Sequence, residues 1–178
     1  MAFDPVDYLR GTESESSLYD NEVRLIYKYA LTLPFGCKIL ELGILHGRSA
    51  CLFGYIAAIK HGSYTAIDMF ERTNPMEAME YFKERGLPPL HVIVSHTAQV
   101  HWCIPVDLLH IDTYHYEPNV SHDIKKFVPF VKVGGIVAFD GYQWQDSHVK
   151  PAVDAYCGNG NWENLGQADD LKVFRRLA

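Results

Sequence analysis

Four carboxylates and a pair of glycines stand where chemistry would need them. Glu41 closes an apolar run and is followed by Gly43 and Gly47 in the stretch KILELGILHGRSACL, Lys38 to Leu52. Asp68 closes SYTAID, Asp112 closes VDLLHID and Asp140 closes GGIVAFD, while Ser95 closes LHVIVS. If each run is a strand, these residues sit at strand ends, which in an open α/β sheet face the ligand. Glycine at 43 and 47 permits close backbone approach, and the helix start that follows offers free N–H groups to a carboxylate or phosphate. Glu41 beside that turn would repel a polyphosphate, so a ligand with a cationic amine is expected. A glycine-bearing strand-to-helix turn without any ligand is the simpler alternative.

The elements that must position these residues alternate along the chain. Apolar residues at helical spacing over residues 17–33 predict a helix, ended by Pro34-Phe35-Gly36. Strands are expected at 37–42, 63–68, 90–95, 106–112 and 134–140. Between them, helices are expected at 47–62, 74–86 and 117–131, with another at 147–157. Asn74, Pro75 and Glu77 carry helix-start signals, with Asn74 as the cap, and Gly86 is a stop. Residues 161–167 and 170–177 form a terminal hairpin with its turn near Asp169-Asp170. Alternating strands and helices imply right-handed crossovers and a parallel sheet covered on both faces. The expected fold is α/β: a Rossmann-like doubly wound sheet, mostly parallel, with a C-terminal antiparallel hairpin. One domain spans residues 1–178, with 1–35 as an N-terminal helical extension.

An acid that ends the second strand can accept both hydroxyls of a ribose, as Asp68 would; a turn or capping aspartate is equally consistent with the residue alone. Dinucleotide binders carry G-x-G-x-x-G in the first turn, whereas Leu45 occupies the place of the middle glycine here and would obstruct a pyrophosphate. A smaller ligand with amino, carboxylate and ribose groups fits better, and S-adenosylmethionine has all three.

The segment KILELGILHGRSA resembles the first motif of class I S-adenosylmethionine-dependent methyltransferases, in the ELGxxxGxSA form of the catechol O-methyltransferase type. The segment DLLHIDTYHYEPNVSHDIKKFVPFVKVGGIVAFDG resembles a block found in small bacterial methyltransferases of the cephalosporin-hydroxylase and macrocin O-methyltransferase kind. Together they cover about residues 36 to 142 in the right order. The resemblance implies that Glu41 holds the methionine amine, directly or indirectly, and that Gly43 and Ser49 serve the methionine end. It implies Asp68 on the ribose, Ser95, His96 and Thr97 beside the adenine, and Asp112 facing the transferred methyl. It also puts His115 where the catechol type has a lysine base and the sugar type a histidine. Histidine titrates near neutrality and suits removal of a hydroxyl proton, although a hydrogen bond within the loop would also account for it. His96, His110 and His122 are weaker candidates, and His110 alternates with the apolar face of its strand.

These enzymes hold a magnesium-type ion with an Asp at the fourth strand and an acidic or amide pair at the fifth. Asp112 and Asp140 supply hard oxygen ligands for Mg2+, but Phe139 and Gly141 flank Asp140 and offer no third. Asp146 or a backbone carbonyl are the alternatives. Tyr142 and Trp144 could stack on an acceptor ring, or form a flap or an oligomer contact.

The reading is therefore a methyltransferase acting on a small-molecule hydroxyl, with His115 as base. The alternative is a catalytically silent protein of the same fold that binds S-adenosylmethionine or S-adenosylhomocysteine. A nicotinamide oxidoreductase is disfavoured by Leu45 and by the lack of a Tyr-x-x-x-Lys pair. The formal charge of -6, with basic residues scattered, argues against a nucleic-acid partner. No apolar run reaches membrane-spanning length, and residues 1–16 show no basic flank or apolar signal core. A cytoplasmic protein is expected, with buried free thiols at the four unpaired cysteine positions and a homodimer as one way to complete the acceptor site.

Overall fold

The computed structural model describes residues 3–13, 18–71 and 75–178. Seven strands form one sheet in the order β3-β2-β1-β4-β5-β7-β6. They are β1 (Lys38–Leu42), β2 (Ser63–Asp68), β3 (Val92–Val94), β4 (Val106–Ile111), β5 (Val131–Phe139), β6 (Trp162–Ala168) and β7 (Leu171–Arg176). The first five run parallel, and β7 pairs antiparallel with both β5 and β6. The helices are α1 (Pro5–Tyr8), α2 (Asp20–Ala30), α3 (Arg48–Ile59), α4 (Pro75–Glu84), α5 (Asn119–Phe127) and α6 (Val149–Cys157). No helix among the described residues is long and apolar enough to cross a membrane.

Side-chain parity splits the core in two. Leu108 and Leu109 are neighbours on β4, yet Leu108 packs with α2 and α3 while Leu109 packs with α5 and α6. Likewise Ile39 of β1 faces α3, and Leu40 and Leu42 face the opposite layer. The helices carry the matching stripes: Val23, Ile26 and Ala30 are buried on α2, and Val120, Ile124 and Phe127 on α5.

Boundaries shift where local chemistry intervenes. The first long helix starts only at Asp20, because the Tyr19 N–H bonds back to Glu22 Oε2 at 2.7 Å. The Asn74 cap lies outside the described residues, and Glu77 pairs with His46 Nδ1 at 2.7 Å. Pro129 stops α5 from continuing, leaving a 3₁₀ turn at Val128–Phe130. The fifth strand then begins at Val131, earlier than expected, because Gly134 and Gly135 form a bulge within it instead of a turn before it. Three cysteines are buried free thiols as expected, but Cys103 is exposed.

The order reverses between β1 and β4, which is the switch point of the sheet. There the carboxyl ends are in step: the Asp112 N–H donates to Leu42 O at 2.8 Å, Asp140 N–H to Ile111 O at 3.0 Å and Ser95 N–H to Asp68 O at 3.1 Å.

Candidate active site

A cavity of about 470 Å³ opens over these strand ends. Asp68, Ser95, His96 and Thr97 line its β2–β3 side; Gly43 and Leu45 line its floor; Asp112, His115, Asp140 and Gly141 line the β4–β5 side. Tyr19, Glu22, Glu71, Tyr114, Tyr116, Trp144 and Asp170 are also part of the wall. The cavity thus gathers Asp68, Ser95, His96, Asp112, His115 and Asp140, all singled out in the sequence.

Three of the expected ligand contacts need correction. Glu41 is 0% exposed and does not reach the cavity. It stands one residue before the end of β1, so its side chain shares the α3 face with Ile39. There Oε1 pairs with His110 Nδ1 at 2.8 Å, Oε2 accepts from the Tyr64 hydroxyl, and Phe53 of α3 covers the group, 5.3 Å from the His110 ring. Gly47 serves helix packing: a Cβ there would lie 2.7 Å from Ala78 Cβ of α4. Ser49 is buried within α3 and lines no part of the cavity.

The turn amides are also committed. The N–H groups of Ile44 and Leu45 donate to Asp68 Oδ2 at 2.7 and 3.3 Å, and Gly43 N–H donates to Ile67 O at 2.9 Å. Asp68 Oδ1 accepts from Phe70 N–H at 2.6 Å. Asp68 therefore braces the turn as well as facing the cavity. Gly43 is required by the sheet itself, since a Cβ would meet Asp112 O at 1.9 Å.

On the other side of the switch point, Asp112, His115 and Asp140 offer ligand atoms that all lie within 4.8 Å of one another. His115 Nε2 is buried without a hydrogen bond, 3.5 Å from Asp112 Oδ1 and 3.7 Å from Asp140 Oδ2. Burial first, and then the Asp112 charge, push the Asp140 carboxyl well above the usual range. Two carboxylates this close call for a cation between them: a proton, an imidazolium or a metal ion.

Neighbouring loops fix the backbone that carries the imidazole. His115 O accepts from His148 N–H at 2.8 Å, and His148 Nδ1 accepts from Glu117 N–H at 2.9 Å. Thr113 Oγ1 donates to the buried Asp123 of α5 at 2.8 Å. Trp144 meets the ring edge-on at 5.1 Å. Gly141, with φ +70°, leaves the space that the ring uses, since a Cβ there would lie 2.9 Å from Cε1 and Nδ1. The residue absent as a third ligand is thus the one whose small size admits His115. Asp146 does not join this group.

Of the two aromatics expected over the acceptor, only Trp144 is exposed, at 49%. Tyr142 is 5% exposed and bonds Asp154 Oδ1 at 2.5 Å. Tyr114 and Tyr116 join Trp144 at the rim, and the Tyr114 hydroxyl donates to Glu71 Oε2 at 2.6 Å. Glu22, Glu71 and Asp170 carried no sequence signal as cavity residues.

Residues 40–142 match the family model described as "Methyltransferase domain". No curated protein matches the chain. Among solved structures, the O-methyltransferase NovP is similar with a TM-score of 0.71 at 18% identity, over 87% of this chain and 80% of that one. The SAH-bound methyltransferase PaMTH1 of Podospora anserina gives 0.68 at 16% identity, over 100% and 89%. An rRNA methylase of Streptococcus thermophilus gives 0.62 at 14% identity, over 88% and 96%. The sheet order, the switch-point cavity and these matches define the class I methyltransferase fold. The chain belongs to the methyltransferase-domain family.

Proposed function

We propose that the protein transfers a methyl group from S-adenosylmethionine to a hydroxyl of a small-molecule acceptor. The observation that carries this reading is the unpartnered His115 Nε2 between two carboxylates, on the same cavity as Asp68. S-adenosylmethionine supplies a methyl activated by its sulfonium when bound. Asp68 accepts a ribose hydroxyl through the Oδ1 lone pair that its three turn bonds leave free. Ser95, His96 and Thr97 border the adenine. Asp112 and Asp140 hold the acceptor hydroxyl in line with the methyl, which is mainly a positioning effect. As the C–S bond breaks and the C–O bond forms, His115 Nε2 takes the hydroxyl proton, and the flanking carboxylates stabilise the imidazolium. Tyr116 and Trp144 at the rim offer faces on which an acceptor ring or sugar stacks.

The donor set also suits a divalent ion. Asp112 and Asp140 would hold it, and it would supply a Lewis acid for the acceptor oxygen. A hard ion such as magnesium prefers oxygen ligands and would leave the imidazole free for the proton. The name of NovP supports oxygen as the acceptor atom, the SAH-bound PaMTH1 supports the cofactor, and the net charge of -6 favours a small molecule over RNA.

Gly141, in the place where the resembling enzymes carry a ligand, favours a second reading, in which the protein binds the cofactor without transferring the methyl. The two separate in one experiment. A panel of sugars and phenols is incubated with labelled S-adenosylmethionine, alongside calorimetry with S-adenosylhomocysteine with and without magnesium. Transfer that His115→Ala abolishes while binding persists supports the enzyme. Binding without transfer to any acceptor supports the silent binder. No binding by the wild-type protein removes both, whereas binding that collapses in Asp68→Ala supports the cofactor site that the two share.

A further inference from the structure

The cofactor carries an α-ammonium group, and the acid the sequence offers for it, Glu41, is sealed away from the cavity. Both Glu41 oxygens are committed to His110 and Tyr64, so no rotation of the carboxylate alone brings it to the ligand. We propose that Glu22 of α2 is instead the carboxylate that holds the ammonium group of the cofactor's methionine moiety. The inference rests on the S-adenosylmethionine reading and adds a residue to it.

Position is the first support. Asp68, Ser95 and His96 stand on the β2–β3 side of the cavity. A ribose at Asp68 sends the amino-acid end the other way, across the β1–β4 switch point toward Asp140. Glu22 lies there: its charge acts on Asp140, and it lines the cavity with Tyr19 and Asp170.

Preorganisation is the second. Glu22 Oε2 accepts from Tyr19 N–H at 2.7 Å and Oε1 accepts from Asp170 N–H at 2.8 Å. The carboxylate is thus held by the start of α2 and by the β6–β7 turn, two regions 148 residues apart in sequence. Each oxygen keeps a further lone pair for an ammonium donor.

Electrostatics is the third. Glu22 is 1% exposed and, among the described residues, makes no ion pair. Burial raises its pKa to about 7, against which the two backbone donors pull it down, while the Asp169 and Asp170 charges add to the rise. A buried carboxylate among other acids lacks a cation, and the cofactor brings one.

The test compares two ligands by calorimetry. S-adenosylhomocysteine carries the ammonium; 5′-methylthioadenosine keeps adenine, ribose and thioether but lacks the amino-acid group. Glu22→Gln should weaken S-adenosylhomocysteine about ten- to a hundredfold, the loss of one charge-assisted hydrogen bond, and leave 5′-methylthioadenosine unchanged. Asp68→Ala should weaken both. Glu22→Asp keeps the charge on a shorter arm and should recover part of the discrimination; it decides the matter if the Gln variant does not fold. Equal loss for both ligands, or an undiminished S-adenosylhomocysteine affinity, overturns the role of Glu22. So does a selective loss that appears in Glu41→Gln instead. A wild-type protein that binds neither ligand overturns the cofactor reading itself, a distinct result that takes this inference with it.

Discussion

Two histidine–carboxylate groups lie five residues apart on the β4 segment, and they have opposite fates. In the first, Glu41, His110 and Tyr64 are sealed beneath α3, both Glu41 oxygens are satisfied, and Phe53 closes the group. In the second, Asp112, His115 and Asp140 open on the cavity, and His115 Nε2 makes no hydrogen bond. The same residue types thus make a sealed brace in one place and a cavity-facing cluster in the other. Both histidines keep a buried Nε2 without a hydrogen bond, so access separates them: His110 lines no part of the cavity, whereas His115 stands on it beside two acids, where a proton or a ligand can reach.

Swapping the consequences between the groups would break this contrast. His115→Ala should lower the transfer rate by about 10²–10⁴-fold, the usual worth of a positioned base, with S-adenosylhomocysteine affinity and unfolding midpoint near wild type. A near-normal rate with a true acceptor would remove His115 from the chemistry. Glu41→Ala should do the reverse. It strands a buried histidine and should cost about 3–5 kcal/mol of stability in denaturant titration, with turnover per folded molecule retained.

Gly141→Ala probes the boundary of the open group. Its methyl would press on the His115 ring and demand a positive φ, so roughly 1 kcal/mol of stability should be lost. Misplacement of the imidazole should add a rate loss on the order of tenfold, read by single-turnover transfer.

The sealed group also has a pH signature. Burial lowers the His110 pKa, but the Glu41 hydrogen bond and charge, with Asp112 and Glu22, raise it above its ordinary value. A raised histidine contributes stability in full below about pH 6.5, and that contribution fades as pH climbs through the raised value. Thermal melts across that window should therefore show a falling midpoint, and Glu41→Gln should flatten the slope. The smallest effect belongs to the rim: Trp144→Ala should raise the acceptor KM several-fold while leaving cofactor affinity alone.

Much of the fold was legible because its signals are local. VDLLHID is nearly unbroken in apolar character, and β4 is buried along its whole length because it is covered on both faces; a run of that kind can be read without a partner. The acids that close β2, β4 and β5 were readable as cavity residues for the same reason: a polar side chain ending an apolar strand faces outward. Glu41 broke that rule by one position. It precedes Leu42, the last residue of β1, and strand parity turns it into the α3 layer. A one-residue difference in where a strand ends lies within the uncertainty of any boundary drawn from pattern.

Periodicity, glycine placement and the acids at strand ends were enough to specify an alternating α/β chain with its chemistry at the carboxyl edge. Three things came only from packing. His115 is aimed between Asp112 and Asp140 because Gly141 leaves room for its ring. Glu41 is withdrawn because Tyr64 and His110 satisfy it from neighbouring strands. Glu22 is brought to the cavity because the β6–β7 turn closes onto α2 across 148 residues. Each is a contact between segments distant in sequence, and pattern along a chain reports which face a residue prefers but not which partner it will meet there.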